Sequence, residues 1–194
     1  MRAFLAIALP QACCASLAQL QRQLKRAKAD VKWVEPQQLH VTLKFLGEIS
    51  EPQRLRVEVL LRDVARGASP LHLALDQLGA FPSLSAPRVI WVSLRGDVEW
   101  LSELVKRLER ELAACGFPSE DRPFAAHITL GRVRSSRGRS ALVSGVNDVA
   151  WHPPEPWIAH EMILYHSELS SAGPRYTVLA EIPLRPQSTD YSPQ

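Results

Sequence analysis

Apolar positions along the chain recur with two periods. Arg2–Leu9 is a nearly unbroken apolar run, the pattern of a strand buried on both faces. From Gln11 to Lys28 the period lengthens, and Cys14, Leu17, Leu20 and Leu24 fall on one stripe of a helix. Leu39–Leu46 returns to a strand. Ser50-Glu51-Pro52-Gln53 has the form of a helix start, with Ser as N-cap, Pro in the first turn and Gln where a capping box wants it. That helix is expected to turn Leu55, Val59 and Leu60 inward and to stop near Gly67. Leu71, Leu73 and Leu75 alternate with His72, Ala74 and Asp76, as in a half-buried strand. Arg88–Leu94 is another strand. Asp97 is expected to cap a third helix, with Leu101, Leu104, Val105, Leu108 and Leu112 on one face and Gly116 just past its end. Phe124–Leu130, Trp157–Tyr165 and Tyr176–Leu184 complete the strands. About seven strands and three helices leave too few crossovers for a parallel sheet, so the predicted class is α+β with a mainly antiparallel sheet.

Two segments lack a hydrophobic period. Arg134–Ser140 is polar and basic and is predicted to be a loop. Residues 186–194 carry no core pattern and are expected to form a mobile tail. No composition shift divides residues 1–185, which are read as a single domain. The chain has 194 residues, of which 46% are hydrophobic and 22% charged, and this excludes wholesale disorder. Its net charge of +3 is compatible with a phosphate-bearing ligand but too small to demand one. The three cysteines, Cys13, Cys14 and Cys115, have no metal-ligand spacing, and an odd number argues against a secreted disulfide framework. A reducing cytoplasm is the simpler expectation. The apolar run at the N-terminus stops at Pro10, which favours a buried first strand over a secretory leader. No run reaches the ~20 residues of a membrane span.

The candidate chemistry lies in an internal echo. His40-Val41-Thr42-Leu43 recurs as His127-Ile128-Thr129-Leu130. Each copy sits in a predicted strand, where residues two apart share a face. His40 and Thr42 therefore share one side, and Val41 and Leu43 the other. The second copy repeats this with His127 and Thr129. A single His-x-Thr is most simply a strand histidine beside a β-former, but its repetition turns the balance toward a site. Two imidazoles can take and give a proton near neutrality, and Thr42 and Thr129 can donate to phosphate oxygens. Such a set suits in-line displacement at phosphorus and needs no metal or other cofactor.

With its flanks, the echo resembles the RNA 2′,3′-cyclic phosphodiesterases, or bacterial 2′-5′ RNA ligases, of the two-histidine phosphoesterase superfamily. The resemblance runs through Arg2–Pro10, Trp33–Gly47, Pro87–Val92, Phe124–Arg132, Ser167–Leu169 and Gly173–Tyr176, nearly the whole chain. Ala126 departs from the proline that many members carry before the histidine, and Gly131 from a frequent alanine. The resemblance implies two pseudo-twofold-related lobes with outer helices and an active-site groove between them. It implies that His127 accepts a proton from the attacking water and that His40 donates one to the leaving oxygen. The implied substrate is an RNA or nucleotide ending in a 2′,3′-cyclic phosphate. The implied product is a 2′-phosphomonoester, and reversal with a 5′-hydroxyl gives 2′-5′ ligation. A membrane partner is not expected, and nothing forces more than a monomer.

Further residues are candidates for substrate contact. Arg132 lies five positions after His127, where the family carries an arginine beside the groove. Lys44 shares the face of His40 and Thr42 if its strand is regular, with a snorkelling surface lysine as the alternative. Trp91 has the surface to stack on a base, with a role in the core or groove wall preferred. Trp33, Trp151 and Trp157 read as packing, and His72, His152, His160 and His166 have no partner at motif spacing. The Arg134, Arg137 and Arg139 loop reads as solvated, with RNA-backbone contact as the minority reading. Two rival functions stay open: an RNA-binding module that keeps the groove without catalysis, and a metalloprotein. The second lacks a His-Glu-x-x-His helix and a zinc-spaced cysteine pair.

Overall fold

The computed structural model describes residues 1–170 and 173–185; the predicted C-terminal tail lies outside them. Strands β1 (Arg2–Ala8), β2 (Val31–Trp33), β3 (His40–Glu48), β4 (Leu71–Phe81), β5 (Val89–Gly96), β6 (His127–Val133), β7 (Trp157–Ala159), β8 (Glu161–Ser170) and β9 (Gly173–Pro183) join in one sheet. Helices α1 (Gln11–Lys25), α2 (Glu51–Ala65), α3 (Val98–Ala114) and α4 (Arg139–Asp148) pack as two pairs, α1 with α4 and α2 with α3. The class is α+β, and every ladder among the described strands is antiparallel.

The sheet order β7-β4-β5-β6-β3-β1-β8-β9 reads the same way outward from its centre, giving two lobes related by a pseudo-twofold between β6 and β3. The run β1-α1-β3-α2-β4 is echoed by β5-α3-β6-α4-β8. The last strand of each run crosses over: β4 pairs with β5, and β8 pairs with β1. At the centre, β3 and β6 share a single ladder pair, Val41 with Ile128. Leu5, Ile7, Val41, Ile128 and Leu130 are among the fully enclosed side chains of the core.

Local chemistry explains most elements and corrects several expectations. Ser50 caps α2 as predicted, its hydroxyl accepting from Gln53 N while Gln53 Oε1 accepts from Ser50 N at 2.8 Å. The buried face of α2 is nevertheless Val57, Leu61 and Val64, while Leu55 and Val59 are exposed and Leu60 only partly covered. The helix carries two overlapping apolar stripes, and the sheet selects one. On α1 the buried stripe includes Cys13 and Gln21 where Cys14 was expected. Asp97 does not cap α3, because its carboxylate accepts from His72 N at 2.8 Å. The basic stretch is a loop only to Gly138, whose left-handed backbone opens α4 at Arg139. The late apolar run divides at His160 into β7 and β8. No helix among the described residues is long and apolar enough to cross a membrane.

The crossover makes each half depend on the other. A fragment of residues 1–85 would leave β4 with no neighbour and expose the β1 edge, so it is expected to show no cooperative unfolding alone and to recover it when co-expressed with residues 86–194. A cooperative melt of the isolated fragment would contradict this. Gly79 lies under the Trp91 ring, and an added Cβ there would collide with the ring face. Gly79→Ala is expected to lower stability by about 1–3 kcal/mol in a denaturant titration, since the ring and two strands must shift.

Candidate active site

In β3, His40 and Thr42 are half-buried on one face while Val41 and Leu43 are buried on the other. The β6 pattern is the same, with His127 and Thr129 against Ile128 and Leu130. Outer helices cover the aliphatic face, and the four polar side chains line one groove. The antiparallel register at Val41–Ile128 sets His40 opposite Thr129 and Thr42 opposite His127. Each imidazole thus has a hydroxyl from the other strand beside it.

The rings are held alike. His40 Nδ1 lies 2.6 Å from the Gln38 carbonyl, and His127 Nδ1 lies 2.7 Å from the Ala125 carbonyl. A carbonyl only accepts, so each Nδ1 carries the hydrogen and each Nε2 is free to gain or lose a proton. Their surroundings differ. Phe4 and Tyr176 flank His40, with ring centroids at 4.9 and 5.6 Å, and burial pulls its pKa below the ordinary imidazole range despite the opposing bond to Gln38. Beside His127 stands Phe81, its ring perpendicular to the imidazole with centroids 5.2 Å apart.

Both strands bulge just after the threonine. Leu43 is passed over in the β1–β3 register and Leu130 in the β5–β6 register. A bulge shifts the alternation by one residue. Lys44 therefore leaves the face of His40 and Thr42: it is 2% exposed, and its amine donates to Glu109 Oε2 at 2.8 Å and the Pro118 carbonyl at 2.7 Å. It is no snorkelling surface lysine: it lies buried at the lining of the wider part of the groove, with its amine turned to Glu109 and Pro118. Phe45 takes the place expected for it in the groove, 53% exposed. The β6 bulge likewise turns Arg132 into the groove, where its charge opposes the rise that burial imposes on the Tyr176 phenol. Gly131, the counterpart of Lys44, is packed so closely that a Cβ would lie 2.7 Å from Val31 and 2.9 Å from Trp33, which accounts for glycine over the family's alanine.

The groove has two arms. One, of about 250 Å³, is walled by His40, Gln38, Trp33, Lys32, Phe45 and Tyr176. The other, of about 590 Å³, is walled by Phe81, Arg88, Arg122, Phe124 and Glu120. Thr42, Phe45, His127, Thr129 and Arg132 face both. Trp91 lines neither arm. It packs behind Phe81 at 4.9 Å and so backs the wall that touches His127, as the core or groove-wall reading expects. Trp33, read as packing, is a groove wall. Phe45, Phe81, Tyr176 and Gln38 escaped the sequence reading. A longer comparison of the two echoes, extending to Phe45 and Arg132, was the available signal for Phe45. Arg134, Arg137 and Arg139 line neither arm.

Comparison with known proteins agrees with this geometry. The chain is 36% identical over 177 residues to the RNA 2′,3′-cyclic phosphodiesterase of Methanothermobacter thermautotrophicus, covering 91% of this chain and 95% of that one. A crystal structure from Thermus thermophilus superposes with a TM-score of 0.76 at 31% identity, covering 95% and 98% of the two chains. Escherichia coli LigT complexed with 3′-AMP superposes with a TM-score of 0.73 at 28% identity, covering 94% and 97%. The model of the LigT-like phosphoesterases matches residues 7–91 and 94–176. Each matched stretch holds one His-x-Thr strand, and the chain belongs to the LigT-like phosphoesterase family.

Proposed function

We propose that this protein hydrolyses the 2′,3′-cyclic phosphate at the end of an RNA or nucleotide to a 2′-phosphomonoester, by acid–base catalysis without a metal. The observation that carries this reading is the pair of imidazoles, each tied through Nδ1 to a main-chain carbonyl and each facing the same groove with a threonine opposite. The name of the archaeal relative and the 3′-AMP bound to the bacterial one support the reaction class and a nucleotide-sized ligand. Among the described residues no three His, Cys, Asp or Glu side chains gather to hold a metal.

In this mechanism water attacks phosphorus in line with the 3′ oxygen. His127 Nε2 takes the water proton as the new P–O bond forms. The bond from phosphorus to the 3′ oxygen breaks, and His40 Nε2–H protonates that oxygen. Thr42 and Thr129 donate to the non-bridging oxygens, and Arg132 offsets their charge. The ribose leaves on the His40 side, so the arm of Tyr176 and Trp33 receives the nucleoside. The attacking oxygen enters from the arm of Arg88 and Arg122. That arm is wide enough for a strand bearing a 5′-hydroxyl, and reversal there gives 2′-5′ ligation. Both histidines come from one chain, so a monomer suffices. The three free cysteines fit a cytoplasmic location.

Burial disfavours a proton on His40 in the empty groove. An arriving phosphate anion favours it, so the substrate itself loads the acid. Catalysis needs His40 protonated, and rate therefore falls as pH rises through its pKa. The basic limb of kcat/KM, which reports the free enzyme, is expected below the ordinary imidazole value near 6.5, and the basic limb of kcat at higher pH. Coincident limbs would count against this assignment.

His40→Ala and His127→Ala are each expected to lower turnover of an oligoribonucleotide 2′,3′-cyclic phosphate by about 10²–10⁴-fold. A substrate with a better leaving group should partly rescue only His40→Ala; rescue of His127→Ala alone would reverse the roles. Thr42→Val and Thr129→Val are expected to cost about 10²-fold each in kcat, as for a lost oxyanion donor. Activity should survive a strong chelator, and phosphorus NMR should place the product phosphate on the 2′ oxygen.

A further inference from the structure

Gln21 and Lys44 are the buried polar side chains of the described core, at 1% and 2% exposure. Gln21 lies behind the His-x-Thr strands and lines neither arm of the groove, whereas Lys44 is buried at the lining of the wider arm with its amine spent on protein partners. Gln21, on α1, donates through Nε2 to the carbonyl of Leu130 at 2.9 Å and of Val34 at 2.8 Å. Leu130 is the bulge residue of β6, and Val34 begins the segment that reaches Gln38, the orienting carbonyl of His40. Lys44 follows the bulge residue of β3. Its amine ties that strand to Glu109 on α3 and to Pro118, at the start of the segment that reaches Ala125, the orienting carbonyl of His127. Glu109 Oε2 also accepts from Glu120 N at 3.3 Å, which fixes the same segment.

Each contact therefore joins the two repeats. Gln21 links the first repeat's helix to the second repeat's strand, and Lys44 links the first repeat's strand to the second repeat's helix. Direct pairing of the two strands amounts to the Val41–Ile128 position alone. One ladder pair acts as a pivot and leaves the splay of the strands undetermined. Two contacts on either side of a pivot determine it. A buried amide or ammonium bonded to main-chain carbonyls has few alternative geometries, because any shift leaves a polar group unpaired in the core.

We propose that Gln21 and Lys44 are positioning residues that set the separation and aim of His40 and His127 across the groove. Their polar groups are taken up by protein carbonyls and Glu109, and their effect falls on the alignment of acid and base rather than on binding. A misplacement of about 1 Å between reacting groups lowers rate by about 10²-fold. The effect on turnover rests on the phosphodiesterase reading above; the effect on the rings does not.

The test uses the full chain carrying Gln21→Leu, Lys44→Met, or Lys44→Met with Glu109→Leu. The double change replaces a partly buried ion pair by apolar groups, which restores stability where only stability was lost. Thermal midpoint, kcat and KM on a 2′,3′-cyclic mononucleotide, and the ¹⁵N shifts and coupling patterns of the histidine rings are measured on each. The expected result is a kcat reduced by about 10–10²-fold with KM within about twofold for every variant. In the double variant the midpoint should recover while kcat stays low. Ring signals of His127 should move in Lys44→Met, and those of both histidines in Gln21→Leu. Recovery of kcat together with the midpoint would overturn the proposal, as would unmoved ring signals in folded variants. If Lys44→Met alone does not fold, the double variant and Gln21→Leu decide the question by the same criteria. Ring shifts that move as expected in a protein without cyclic phosphodiesterase activity would uphold the positioning and remove the phosphodiesterase reading.

Discussion

The fold turns on the antiparallel pairing of two interior strands at Val41 and Ile128. The histidine and threonine side chains of both motifs take their side from that register. A shift of one residue in either strand would send its imidazole into the aliphatic layer and bring its valine or isoleucine to the groove. The register is held because the alternative is costly on both faces at once: the slipped strand would bring two aliphatic side chains to water and two polar ones into a core that offers them nothing. The hydrophobic layer beneath the strands and the site above them are thus fixed by a single choice.

Around that centre the two repeats supply the same parts but different surroundings. Each ring is tethered two residues back, and each strand bulges one residue beyond its threonine. The differences begin outside the motif. Aromatic side chains from β1 and β9 enclose His40, whereas His127 borders a wider arm with arginines on its rim. The repeat gives two imidazoles held in the same way, and the differing neighbours distinguish them.

The sequence was most informative where one period ran unbroken. The His-x-Thr strands, the capping box at Ser50 and the α3 stripe from Leu101 to Leu112 all obey simple periods and were legible as such. Lys44 was misplaced because alternation cannot register a bulge, a backbone event that leaves no mark in a run of apolar residues such as Leu43. Phe45 was missed for the same reason. On α2 the interleaved stripes of Leu55–Val59 and Val57–Leu61 are equivalent by helical spacing, and only the approach of the sheet separates them. The α4 helix begins at a glycine in left-handed backbone, where a polar cap would ordinarily announce a start. Asp97 had the right chemistry for a cap, but a neighbouring strand amide claimed its carboxylate.

The carbonyls of Gln38 and Ala125 that hold the two imidazoles belong to the main chain. A side-chain carboxylate in that role could be lost by one codon change and would bias its ring toward the charged form. A peptide carbonyl is present whatever residue the gene encodes, and it fixes the tautomer without adding a net charge. The orientation of both rings is thereby insulated from drift at those two positions. Heritable variation is left to act on the walls of the groove, whose shape can change while the two rings stay as they are.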